Sequence, residues 1–171
     1  MTTYFSEMES PVGRLLLQGD GQFLTGLHMP LHKHWDGPEA DWERSDEALA
    51  IVRSQLAEYF AGDRQEFDVP LRFIGTSYQQ RVWSELQNIS FGQTITYAEL
   101  ARRVGQPTAA RAVGHANARN PISIIVPCHR VIGVNGKLTG YAGGLDRKEW
   151  LLAWERAAVP AAQRELFAAV T

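Results

Sequence analysis

"TYAELARRVGQPTAARAVGHANARN", residues 96–120, reads as two short helices joined by a tight Gly-Gln-Pro connection. Thr96-x-x-Glu99 forms a capping box at the start of the first, and Gly105 ends it. Pro107 suits the first turn of the second, where its missing N–H costs nothing. This is the shape of a helix-turn-helix. The second helix is built of small residues: Ala109, Ala110, Ala112, Gly114 and Ala116. A reader of the major groove presents Asn, Gln, Arg and Lys to base edges, whereas here only Arg111 projects before Arg119. A smooth helix with one long cation suits close approach to a nucleic-acid backbone or minor groove. Ordinary helix–helix packing explains the same small residues, and the local pattern leaves both readings open.

Upstream, "TSYQQRVWSELQNI" opens with a capping box, Thr76-x-x-Gln79, and carries an apolar stripe at Val82, Leu86 and Ile89. The chain before it has a different character. Residues 4–29 read as β structure, with "RLLLQGDGQFLTGLHM" placing two apolar runs around an Asp20-Gly21 turn. Residues 30–45 are polar and read as loop. "SDEALAIVRSQLAEYFAG" reads as a helix capped by Ser45 or Asp46 and stopped by Gly62, with Ala48, Ile51, Val52, Leu56, Tyr59 and Phe60 mostly on one face. "EFDVPLRF" is a short extended piece leading into a linker.

Downstream, "NPISIIVPCHRVIG" holds the only cysteine of the chain, Cys128, directly followed by His129. "ISIIVP" reads as a strand or extended entry into it. "VIGVNGKLTGYAGG" reads as hairpin-like around Asn135-Gly136, and "DRKEWLLAWERAA" as an amphipathic helix starting at Asp146-x-x-Glu149. The last dozen residues are Ala-rich, which suits a helical tail. A free Cys is commonly just a small buried hydrophobe. It is also a nucleophile when a base relieves its pKa near about 8.5. Glu155, on the final helix, could orient His129, giving a nucleophile, a base and an orienter.

Charge divides the chain as its patterns do. Residues 1–75 hold 13 acidic against 6 basic side chains, and residues 76–171 hold 6 against 11. The second half therefore suits an anionic partner. One cysteine permits no internal disulfide, which points to a reducing compartment such as the cytoplasm. No apolar run reaches 18 residues and the N-terminus has no signal-peptide pattern, so no membrane association is expected. His28, His32 and His34 lie close in sequence, but without a cysteine or a carboxylate at fixed spacing they read as a solvated loop, and no metal is expected.

"VPCHRVIG", the "NP" upstream of it, "YAGG" downstream and the "AARAVGHAN" helix before it together resemble the O6-alkylguanine-DNA alkyltransferase (methylated-DNA–protein-cysteine methyltransferase) family. The similarity runs through about residues 74–156, with four motifs in order; the N-terminal half resembles the family's variable domain more loosely. The resemblance implies an α/β fold of the α+β kind. Residues 1–73 would form a ribonuclease H-like antiparallel sheet with a helix, and residues 74–171 a mainly helical, winged-helix-like domain bearing the cysteine.

By the same resemblance Cys128 takes the alkyl group, His129 acts on it through a water, Glu155 orients His129, and Asn120 braces the loop. Tyr97 packs against the rotated phosphate and donates to the leaving base. Arg111 fills the stack vacated by the flipped nucleotide, with Thr108, Ala110 and Gly114 at the DNA. Tyr141, Ala142, Val131 and Gly143 line the guanine pocket. Ala142 departs from the Ser common in the family; a contact through the backbone N–H survives that exchange. The zinc site that some members build from N-terminal Cys and His has no counterpart, since no N-terminal Cys exists. The implied partner is double-stranded DNA carrying O6-alkylguanine or O4-alkylthymine. It would be repaired once per protein, without cofactor, by a monomer able to bind DNA cooperatively. A non-catalytic binder of alkylated DNA, a Cys–His hydrolase and a self-methylating regulator are the competing readings. The first lacks a reactive Cys, the second turns over, and the third carries metal-binding cysteines.

Overall fold

A computed structural model describes residues 1–30 and 36–170; His32 and His34 lie outside the described residues. The N-terminal half is a four-stranded sheet of β1 (Tyr4–Met8), β2 (Leu15–Gly19), β3 (Leu24–His28) and β4 (Glu43–Arg44), in the order β3-β2-β1-β4. β1 and β3 run antiparallel to β2, and β4 pairs parallel to β1. The Asp20-Gly21 turn joins β2 to β3 as expected. The Asp20 carboxylate accepts from the backbone N–H groups of Gln22 and Phe23 at 2.9 and 2.8 Å, the local bonding that makes Asp a turn residue.

Helix α1 (Ala50–Ala61) covers the sheet through Val52, Leu56 and Tyr59 and ends at Gly62, whose φ of 84° is left-handed. Two expectations for this segment need correction. Neither Ser45 nor Asp46 caps it: the Ser45 hydroxyl accepts from the N–H of Ala48 in the turn before the helix, and Asp46 takes a hydrogen bond from Ser6. Ile51 is 65% exposed, because the buried face runs Val52, Gln55, Leu56, Tyr59. Gln55 belongs to that face because its amide brackets the backbone of Asp68, donating at 3.0 Å and accepting at 2.8 Å.

The C-terminal half is mainly helical: α2 (Ser77–Leu86), α3 (Tyr97–Arg103), α4 (Ala110–Ala118), α5 (Leu145–Ala158) and α6 (Ala161–Val170), with a two-residue parallel pair of β5 (Ile95–Thr96) and β6 (Val131–Ile132). The Thr76–Gln79 capping box is formed in both directions. At α3 only the forward half is seen: Thr96 accepts from the Glu99 N–H, while the Glu99 carboxylate turns to Arg102 and Arg103. Pro107 and Thr108 precede α4 rather than opening it, because Gln106 closes a turn onto the Ala109 N–H first. Asp146 enters the first turn of α5, and no capping side chain starts it.

One hydrophobic core spans both halves, joining Leu17, Leu27, Leu56, Trp83, Leu86, Ile122 and Leu151. Each such side chain, fully removed from water, contributes about 1.5–3 kcal/mol. The Trp83 indole, 2% exposed, donates to the Ala116 carbonyl and so ties α2 to α4. The outer edge of β3 receives two later segments. The N–H of Leu24 donates to Pro70, and Leu27 exchanges bonds with Pro121 and Ser123 at 2.9 and 3.0 Å. The second of these contacts fixes the chain that leads to Cys128.

Candidate active site

The run Ile122–Val126 is not the strand its apolar composition suggests. Beyond the single bridge at Ile122 it coils into tight turns, with the Ile125 N–H donating to Ser123 and the Val126 N–H to Ile122. The cause is Asn120. Its buried side-chain oxygen accepts from the Ile122 N–H at 3.0 Å, and its amide donates to the carbonyls of Val126 at 2.8 Å and Ile122 at 3.3 Å. These bonds compete with strand pairing. Ile124, fully buried, is held at a φ of 70°, a region that costs a β-branched residue of the order of 1–3 kcal/mol.

The turn delivers Cys128 at the head of a short 3-10 helix, Cys128–Arg130, with the sulfur buried beside the Asn120 amide and the Tyr141 hydroxyl. The Asn117 amide donates to the Cys128 carbonyl at 3.3 Å. Burial pushes the thiol above its ordinary pKa, more than Asn120, Tyr141 and the Lys148 charge pull it down. The resting group is therefore a thiol, and reaction needs a base.

His129 is that base by position. Its Nε2 lies 2.7 Å from Glu155 Oε1, both side chains being wholly buried. Burial pushes the imidazole below its ordinary value against the pull of Glu155, so the ring is neutral at pH 7. With Glu155 accepting from Nε2–H, Nδ1 is left a bare acceptor, and it makes no hydrogen bond among the described residues. Burial also penalises the Glu155 carboxylate, but His129 and Arg130 more than offset that and hold it well below the usual carboxylate range. Arg130 binds both carboxylate oxygens, each at 2.9 Å, and its Nη1 donates to the Ile89 carbonyl at 2.6 Å.

Lys148 is fully buried and donates to the carbonyl of Val131 at 2.6 Å and that of Thr139 at 3.3 Å, with the Tyr97 hydroxyl 3.5 Å away. Burial brings its pKa down to about 8. Tyr97, half-buried, starts α3 with its ring against Gly114 of α4. Tyr141 is buried beside Cys128, and Ala142 after it is buried too. Gly143 meets such close packing that a Cβ there would stand 2.6 Å from Met29 and 2.8 Å from the Tyr141 ring. Arg147 donates to the carbonyls of Gly143 and Val12 at 2.9 and 2.8 Å, tying this loop to the N-terminal half. The Asn135-Gly136 turn exists, with φ of 63° and 74°, but residues after it form loop, not the second strand of a hairpin.

Residues 77–157 match the family model described as 6-O-methylguanine DNA methyltransferase, DNA binding domain, and residues 3–73 match its ribonuclease-like domain. A methylated-DNA–protein-cysteine methyltransferase of Mycolicibacterium paratuberculosis is 49% identical over 157 residues, 92% of this chain and 94% of that protein. The chain belongs to the methylated-DNA–protein-cysteine methyltransferase family. A member from Methanosarcina acetivorans is 50% identical over 153 residues, 89% of this chain and 97% of its own. The crystal structure of Mycobacterium tuberculosis OGT in complex with DNA superposes with a TM-score of 0.86 at 48% identity, covering 92% of this chain and 96% of that one.

Within the methyltransferase fold, then, Cys128, His129, Glu155, Asn120, Tyr141, Ala142, Val131 and Gly143 gather in one buried region, with Tyr97 at its edge. Arg111, Thr108 and Ala110 lie apart from it. They belong to α4 and the turn before it; Thr108 and Arg111 line a groove of about 680 Å³ that also takes Thr76, Tyr78 and His115. Arg111 is exposed and has no side-chain hydrogen bond or ion pair among the described residues. The sequence pattern assigned no site role to His115, exposed on the same face, nor to Arg130, Lys148 or Arg147, and it placed Tyr59 only on the apolar face of its helix. Lys148 carried a signal: with Leu151 and Glu155 it lies on the face of α5 that is buried, where a charge needs a reason.

Proposed function

We propose that this chain repairs O6-alkylguanine, and O4-alkylthymine, in double-stranded DNA by irreversible transfer of the alkyl group to Cys128. The observation that carries the reading is the buried line from Glu155 through His129, which leaves Nδ1 a bare acceptor on the residue that follows the un-ionised thiol of Cys128. The thiol proton passes through a water to His129 Nδ1. The sulfur then attacks the alkyl carbon; the S–C bond forms as the C–O6 bond breaks, and the pair released onto the base takes a proton from the Tyr97 hydroxyl, which regains one from solvent as His129 gives up the proton it took. Lys148 holds positive charge near both Cys128 and Tyr97, which favours the thiolate.

The target atom lies inside a base pair, so the nucleotide leaves the stack, at a cost of a few kcal/mol, about what unstacking a damaged base requires. Arg111 offsets that by entering the gap from α4, which the small residues Ala110 and Gly114 let approach the groove, with Thr108 at the backbone. Tyr141, Ala142, Val131 and Gly143 receive the base. The thioether has no route to cleavage, so each molecule acts once, as a monomer without cofactor. Cooperative binding along DNA fits the acidic half of one copy meeting the basic half of the next. We take residues 1–73 and 74–171 as the two domains. Because Cys128 must stay a thiol, the reaction belongs in a reducing compartment such as the cytoplasm.

Intact-protein mass spectrometry after incubation with a duplex holding O6-methylguanine tests this. One methyl mass on the peptide containing Cys128, saturating at one adduct per protein, is expected. Multiple turnovers, or unchanged repair by Cys128→Ser, would overturn it.

A further inference from the structure

The N-terminal half sends one side chain into the reactive network. Tyr59, on α1, is wholly buried, and its hydroxyl donates to Glu155 Oε1 at 2.8 Å. That is the oxygen His129 Nε2 contacts at 2.7 Å. The carboxylate therefore receives Tyr59, His129 and Arg130 on Oε1, and Arg130 and the Gly92 N–H on Oε2. Every donor draws charge from an oxygen that His129 must share.

Packing does not explain the hydroxyl. The Tyr59 ring sits among Phe60, Phe67 and Phe91, with centroid distances of 5.0, 5.5 and 5.9 Å. A phenylalanine would fill the same place without a buried polar atom to satisfy. The backbone is tied to the same helix, because the Tyr59 carbonyl accepts from the Trp154 indole at 3.3 Å, next to Glu155 on α5.

We infer that Tyr59 is a positioning residue for the alkyl transfer: its hydroxyl holds the Glu155 carboxylate in line with His129 and tempers the pull of that carboxylate on the imidazole. The inference rests on the alkyl-transfer reading above, and it gives the acidic half a part in the chemistry. The charged and titratable groups around the pair are Arg130 from the 3-10 turn, Lys148 from α5, and Tyr141, which stands against Cys128. Without the Tyr59 hydroxyl, Glu155 Oε1 carries more unshared charge and stabilises the imidazolium better. His129 then keeps its proton to higher pH, so less of it is free to accept one below that pH, and the carboxylate that aligns it is held less firmly.

The test is the pH profile of single-turnover transfer from free O6-benzylguanine to Cys128, followed by protein mass, for the full-length protein and Tyr59→Phe. The variant should show its acidic limb displaced to higher pH and a plateau about tenfold lower, as expected for losing a hydrogen bond to a charged group. Placing 3-fluorotyrosine at position 59 alone strengthens the donor and should move the limb to lower pH, a measurement that does not depend on the Phe variant folding. A lower plateau with an unmoved limb would reduce Tyr59 to a structural residue and overturn the inference, as would profiles identical to wild type. If the wild-type protein itself leaves Cys128 unmodified, the alkyl-transfer reading fails instead.

Discussion

The ammonium nitrogen of Lys148 lies 2.6 Å from the carbonyl oxygen of Val131, and no carboxylate pairs with it among the described residues. A buried cation held only by neutral acceptors is an unfavourable arrangement for stability. Its geometry makes sense as a field source. It acts on Cys128, where it favours the thiolate once that forms, and it stands next to the Tyr97 hydroxyl.

Replacing that cation should therefore trade reactivity for stability. The Lys148 pKa falls from 10.5 unfolded to about 8 folded, so between those values the unfolded chain binds more protons and stability rises with pH. The penalty is complete below pH 8 and gone above 10.5. After allowing for the orphaned carbonyls of Val131 and Thr139, Lys148→Met should be about 1–2 kcal/mol more stable at pH 7. The gain should shrink as pH approaches 10.5, and transfer to Cys128 should be slower. Urea unfolding at several pH values, with adduct formation on the same samples, checks both.

Glu155→Gln should have the opposite effect on stability. It leaves Arg130 and His129 facing a neutral amide, and breaking a buried ion pair on one side costs about 3–5 kcal/mol. The Glu155 pKa is lowered by folding, so its stabilisation is complete above the unfolded value of 4.5 and is lost as pH falls through the folded one. Denaturant titrations should show the gap between variant and wild type at pH 7 narrowing in strong acid.

Asn120→Ala should loosen the turn before Cys128. Three buried backbone contacts vanish and the Ile122 N–H loses its partner, for a loss of about 2–4 kcal/mol. Hydrogen exchange should quicken at the amides of Ile122 and Val126 ahead of the rest of the core. Unchanged protection there would show that the turn holds without the amide.

Arg111→Ala should leave stability within about 0.5 kcal/mol, as for an exposed side chain without partners. Transfer from O6-methylguanine in duplex should fall much more than transfer from free O6-benzylguanine. Equal losses would remove Arg111 from the role of filling the stack. The salt slope of DNA affinity should be shallow, because exposed cations are few on the α4 face.

Features governed by neighbours a few residues away were legible in the sequence. The Thr76–Gln79 box, the Asp20-Gly21 turn and the Gly62 stop each depend on a backbone conformation and a polar atom within one turn. The motif around Cys128 was legible through family resemblance. The shape of the loop was not: "ISIIV" has strand composition, and only the Asn120 side chain diverts it. Ile51 misled because its spacing fits the apolar face, which is set by where the sheet lies under α1.

By itself, then, the sequence determined the local elements, the acidic and basic halves, and the presence of one thiol beside one histidine. Tertiary structure alone decided what that thiol is. Glu155 reaches His129 across 26 residues and Tyr59 across 96, and burial sets which of these groups carry charge. Desolvation and long-range pairing arise only once the chain has folded, so no local pattern encodes them.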